Sequence, residues 1–146
     1  MISDKRLKVV HLRWAERIGG PENMLRNLAV YSDRNKVEMS FLFLGRGGPY
    51  EQEMRALGYS VDVIPAKNGY DPVMRWKLAL KLRALQPDIV VEHGLPPFVR
   101  PLVRAMTGVP LLSFDHGQIE INRRKHKPWI NGLNGMEYRL FCDQII

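Results

Sequence analysis

Short apolar stretches recur along the chain, separated by longer segments in which apolar residues return every three or four positions. Lys8-Val-Val-His-Leu12 is the first stretch and predicts strand one. Met24, Leu25, Leu28 and Ala29 then follow at i, i+1, i+4 and i+5, the spacing of one helix face, and Pro21 stands where a first-turn proline is tolerated. Val37 to Leu44 predicts strand two, closed by Gly45-Arg-Gly-Gly48, and Tyr50 to Leu57 a short helix ended by Gly58. Tyr59 to Pro65 predicts strand three. Asp71-Pro72 reads as a helix start, an aspartate cap with proline at the first helical position, and Met74, Leu78, Leu82 and Leu85 continue one face until Pro87 stops it. Asp88 to His93 is nearly all apolar and β-branched, as a strand covered on both faces would be. Pro97 to Thr107 predicts a helix with Gly108 at its end, and Val109 to Phe114 strand five. The polar segment Gly117 to Lys127 predicts a loop, Asn131 to Phe141 a helix, and Asp143-Gln-Ile-Ile146 the start of a sixth strand.

Strands alternating with helices predict the α/β class: a parallel sheet, right-handed crossovers and helices on both faces, a three-layer sandwich. With the usual Rossmann-like order 3-2-1-4-5-6, ligands bind outside the carboxyl ends of the strands, near the point where the order reverses. The loops to inspect are then Arg13 to Glu22, Gly45 to Gly48, His93 to Pro97 and Asp115 to Gln118.

Length and composition narrow this further. The 146 residues make one domain, 1–146, with an ordinary globular balance of 45% hydrophobic and 25% charged residues. Uninterrupted apolar runs are far shorter than the ~18 residues that span a bilayer, and no signal peptide is recognisable, so a cytoplasmic placement is expected. A lone cysteine, Cys142, excludes an internal disulfide framework and a cysteine zinc finger. The net charge of +7 attracts an anionic partner, and its distribution matters more than its size.

Cations gather at Arg75, Lys77, Lys81 and Arg83 on the third helix and at Arg123-Arg124 in the polar loop, the positions expected to meet an anionic surface such as the inner face of a membrane. No nucleic-acid module is visible. Gly19-Gly20-Pro21-Glu22 leads into the first helix, where bare amides can face a phosphate or a sugar hydroxyl. It is neither a dinucleotide fingerprint nor a Walker loop, which disfavours an NAD(P)-dependent oxidoreductase. His11, His93 and His116 fall on neighbouring strands, but His11 lies inside its strand and no supporting carboxylate spacing stands out, so no metal site is expected. His116-Gly117 and His93-Gly94 place an imidazole after a buried strand with a glycine that lets the chain turn, the geometry of ligand-facing side chains.

Read together, these residues resemble the N-terminal half of a family 4 glycosyltransferase of the GT-B architecture. The pattern runs from Gly19-Gly20-x-Glu22 with Leu25 and Leu28, through Leu57-Gly58 and Val61 to Pro65, Pro87-Asp88-Ile-Val-Val-Glu-His93 and Gly108-Val-Pro110, to His116-Gly117 and then Glu137 before Asp143-Gln-Ile-Ile146. The resemblance implies an acceptor-binding domain, working with a second domain that holds a nucleotide-sugar donor. It implies sugar transfer with retention to a glycan or lipid-linked acceptor, with no metal or other cofactor. Gly19 and Gly20 resemble the loop near the donor diphosphate and His116 the catalytic histidine near the transferred sugar. Glu22, His93 and the loop after Gly117 would line the acceptor pocket. The family's donor site includes two glutamates separated by seven residues, and no two glutamates here are eight positions apart, so the chain is expected to be inactive without a donor half. The alternative expectation is a non-catalytic Rossmann-like module that binds a nucleotide or a phosphorylated glycan.

Overall fold

The computed structural model describes residues 5–15, 20–114 and 128–146. Strands β1 (Leu7–Ala15), β2 (Val37–Gly45), β3 (Ser60–Ile64), β4 (Ile89–His93), β5 (Leu111–Ser113) and β6 (Gln144–Ile145) form one sheet in the order β3-β2-β1-β4-β5-β6. Every pairing is parallel, as the alternation of elements and the expected order required. Between the strands lie α1 (Gly20–Tyr31), α2 (Pro49–Ala56), α3 (Pro72–Leu85), α4 (Val99–Thr107) and α5 (Pro128–Phe141).

Successive side chains of a strand point to opposite faces, and here each face has its own core. Val10, Leu12, Leu42, Leu44, Val90 and Leu111 pack with Met74, Leu78 and Leu82 of α3 and Val99 and Val103 of α4. On the other face Val9, Met39, Phe41, Phe43, Val61 and Val91 pack with Leu25 and Ala29 of α1 and Met54 of α2. The result is the expected three-layer sandwich.

The start of α3 follows the sequence reading closely. The Asp71 carboxylate accepts from the amides of Val73 (2.9 Å) and Met74 (3.3 Å), and Pro72 occupies the first turn. A third amide, that of Lys67, is the main reason the Asp71 pKa lies below the usual carboxylate range. Met74, Leu78 and Leu82 are fully buried. Burying each such side chain stabilises by roughly 1.5 to 3 kcal/mol. Gln86 ends the helix in the left-handed region (φ 46), just ahead of Pro87.

The structure departs from the periodicity in places, and the reasons are physical. Strand β1 continues past Leu12 to Ala15 because β2 pairs with it in register from Leu7↔Val37 to Ala15↔Gly45, so the ladder carries Arg13 beyond the apolar run. Helix α4 begins at Val99 rather than Pro97, since Phe98 adopts φ 65, in the left-handed region, and a right-handed helix cannot run through it. Leu28, placed by spacing on the apolar stripe of α1, is 40% exposed, while Leu25 and Ala29 carry the contact with the sheet.

Candidate functional site

At the carboxyl end of β4 two consecutive side chains part company. Glu92 points toward α4 and His93 toward the α1–α2 face, and each enters a different buried assembly.

Glu92, fully buried, accepts from Arg100 Nε (2.9 Å) and Ser113 Oγ (2.5 Å) through one oxygen and from the Leu95 amide (3.1 Å) through the other. Arg100 is 1% exposed and also donates to the Leu95 carbonyl (3.2 Å), the Tyr138 hydroxyl (2.7 Å) and Glu137 (3.4 Å). Glu137 accepts in turn from the Phe98 amide (2.6 Å), so a carboxylate on α5 caps the start of α4. Burial by itself would lower the Arg100 pKa, but the charge of Glu92 leads the opposing contributions and the guanidinium stays above its ordinary value. This network ties β4, β5, α4 and α5 together directly beneath the loop that leaves β4. The charge of Arg100 is therefore spent inside the domain and not on the surface of α4.

His93 enters an aromatic layer that crosses the sheet. Phe41 of β2 stacks on His11 of β1 (5.3 Å between centroids), His11 on His93 (5.4 Å), and His93 on Phe114 (5.5 Å). His11 Nδ1 and His93 Nε2 lie 3.1 Å apart and share a hydrogen bond. Burial pushes the His11 pKa down to about 4, so His11 is neutral near pH 7. From His93-Gly94 the sequence predicts a ligand-facing imidazole. It is instead 1% exposed, because the glycine turn begins one residue later, at Gly94 (φ 70), after the ladder has placed the ring among its aromatic neighbours.

Gly20 opens α1 and Glu22 lies in its first turn, in the connection that follows β1. Gly19, His116, Gly117, Arg123 and Arg124 lie outside the described residues. Among the described residues, no three histidine, cysteine or acidic side chains are grouped to hold a metal ion.

Of the four cations on α3, two are already engaged. Arg75 donates to the carbonyls of Gly69 (2.8 Å) and Pro97 (2.9 Å), and Lys81 pairs with Asp62 (2.7 Å). Both had been expected to meet an anionic surface. Lys77 and Arg83 are exposed, in a helix that also exposes Val73, Trp76 and Leu80. Among the described residues no helix is long and apolar enough to cross a membrane.

The Glu92–Arg100–Glu137 network was missed in the sequence. Its one signal was Glu92, an acid inside an otherwise apolar strand, which demands a buried partner.

No curated protein sequence matches the chain. Solved structures do. The crystal structure of Anabaena Alr3699/HepE in complex with UDP and glucose superimposes with a TM-score of 0.71 at 12% identity, covering 96% of this chain and 37% of that one. The same protein with UDP alone gives 0.68 at 14% identity, covering 95% of this chain and 37% of that one. The lipopolysaccharide outer core galactosyltransferase WaaB, in its apo form, gives 0.57 at 15% identity over 73% of this chain and 32% of that one. The chain thus spans about a third of the length of the structures it matches, and at these identities the likeness establishes the fold. The family assignment comes from the sequence itself, because the family model matches residues 18–146: the chain belongs to Glycosyltransferase Family 4.

Proposed function

We propose that this chain is the acceptor-binding half of a glycosyltransferase that moves a sugar from a nucleotide-sugar donor to a glycan or lipid-linked acceptor with retention. The observation that carries the reading is the family match over residues 18–146 on a six-stranded parallel sheet whose carboxyl edge is the ligand edge of such folds. The Anabaena structure of the same fold was solved with UDP and glucose, and this chain covers 37% of it, so the donor would be held by a second half.

In this reading α1 directs its first amides and the positive end of its dipole toward the donor diphosphate, with Gly19 and Gly20 allowing close approach. His116 stands beside the transferred sugar. Glu22 and the loop after Gly117 line the acceptor pocket, and His93 supports it from within the sheet. Transfer requires stabilisation of the departing diphosphate by preorganised donors, which the second half would complete. The domain works on the cytoplasmic side, peripheral to the membrane, with the exposed cations of α3 and Arg123 and Arg124 toward anionic lipid.

The test is to join this chain to a family donor-binding half and assay UDP-glucose and other nucleotide sugars against glycan and lipid-linked acceptors. Transfer is expected from the joined protein and none from the 146 residues alone. Turnover by the isolated chain, or nucleotide-sugar binding with no transfer once joined, would overturn the reading, the latter in favour of a non-catalytic binding module.

A further inference from the structure

Phe98 is one of two non-glycine residues with positive φ among the described residues (φ 65, ψ 1), and it carries a large side chain that is 44% exposed. A bulky residue avoids this region, and such a conformation persists only where its surroundings over-determine it. They do so here from three sides. Glu137, locked to Arg100, accepts the Phe98 amide at 2.6 Å. Arg75 holds the preceding carbonyl, that of Pro97, at 2.9 Å and places its guanidinium 5.8 Å from the Phe98 ring centroid. The loop before α3 presses on the same turn, since a Cβ on Gly69 would lie 2.6 Å from Pro96 Cβ. All this fixes an aromatic ring that the core does not use.

Next to it stands Tyr70, 51% exposed, with its ring 6.4 Å from that of Phe98 and tilted by 55°. Tyr70 belongs to the loop after β3 and Phe98 to the loop after β4, so both rise from the carboxyl edge of the sheet. Two half-exposed rings opening at an angle present electron-rich faces. Such faces suit a flat array of weakly polarised C–H groups, and the loop after β3 adds the exposed polar side chains of Lys67 and Asn68. We propose that Tyr70 and Phe98 form a platform for the pyranose ring of the acceptor, with Arg75 and Glu137 as its positioning residues. The inference rests on the acceptor-side reading and adds the place and the chemistry of contact. Hydrocarbon chains also offer C–H surface, so the test separates them.

The experiment uses the 146-residue chain without any donor. Saturation-transfer NMR is recorded with methyl glycosides of glucose, galactose and mannose, and in parallel with vesicles of neutral and anionic lipid followed by sedimentation. At least one glycoside should receive saturation on the C–H face of its ring. Tyr70→Ala and Phe98→Gly should each weaken that binding by about fivefold, as the loss of one aromatic contact does. Phe98→Gly should melt no earlier than the parent, because glycine accepts the left-handed backbone freely. No transfer to any of the glycosides, undiminished binding by both variants, or an effect confined to vesicle sedimentation would overturn the platform. Early melting of Phe98→Gly would mark the ring as structural, and Tyr70→Ala then decides alone. Because no sugar transfer is assayed, these outcomes stand apart from success or failure of the joined enzyme.

Discussion

Arg100 of α4 and Glu92 of β4 meet at 2.9 Å with 1% and 0% of their side chains exposed. Removing two charges from water costs more than their attraction returns unless the remaining donors and acceptors are also satisfied. Ser113, Leu95, Tyr138 and Glu137 satisfy them here. The pair therefore fixes how the β4–α4 loop is set rather than adding much net stability.

Arg100→Met should destabilise the domain by about 3 to 5 kcal/mol, because it leaves Glu92 and Glu137 buried without their cation. Urea unfolding at neutral pH measures this. Adding Glu92→Gln should restore part of the loss, since it removes one uncompensated charge. A double variant no more stable than Arg100→Met would mean the cost lies in packing and not in charge.

The buried His11 makes stability depend on pH in a stated window. Its folded pKa, about 4, lies below the unfolded value near 6.5, so protons favour the unfolded chain between these limits. Its contribution is complete above 6.5 and is lost as pH falls toward 4, amounting to about 3 kcal/mol. Unfolding free energies at pH 7 and pH 4.5 should differ accordingly, and His11→Phe should remove most of that difference. An equal slope in parent and variant would assign it to other groups.

Gly69→Ala tests the contact between the loops after β3 and β4. The new methyl would lie 2.6 Å from Pro96 Cβ, within a ring that cannot swing away, so the loops must separate. Overpacking of this kind costs about 1 to 3 kcal/mol. Thermal melting should show the loss, whereas Gly48→Ala, where a Cβ meets nothing within 4 Å, serves as the neutral control.

The outer face of α3 should bind anionic vesicles. It exposes Trp76 (67%) and Leu80 (50%) beside Lys77 and Arg83, and it contains no acidic residue. Tryptophan favours the lipid–water interface, and each basic residue near an anionic surface contributes about a fivefold gain in partitioning. Lys77→Gln and Arg83→Gln should lower sedimentation with anionic vesicles, and salt should weaken it in the parent. Lys81→Gln, whose lysine is paired with Asp62, should change it little. Equal effects of all three would show that only total charge matters.

Much of the architecture was legible along the chain because it rests on local rules. Asp71-Pro72 could be read as a helix start because a cap is made within three residues. The near-continuous apolar run of β4 announced a strand covered on both faces, and alternation with helices then implied a parallel sheet. The order of strands could be stated for the same reason, as right-handed crossovers leave few arrangements.

Side-chain fates were decided by tertiary structure alone. In sequence Arg75, Lys77, Lys81, Arg83 and Arg100 are five similar cations on two helices. Folding brings Gly69 and Pro97 carbonyls to the first, Asp62 to the third and Glu92 to the last, and leaves Lys77 and Arg83 exposed. His93 likewise looked like a ligand-facing residue, yet the register of β4 against β1 sets it beside His11 and under Phe114. Hydrophobic period and capping act over a few residues and are therefore written in the sequence. The pairing of a charge depends on groups carried by other elements, such as Glu92 of β4 for Arg100 of α4 and Asp62 of β3 for Lys81 of α3, and only the folded sheet brings those within hydrogen-bonding reach.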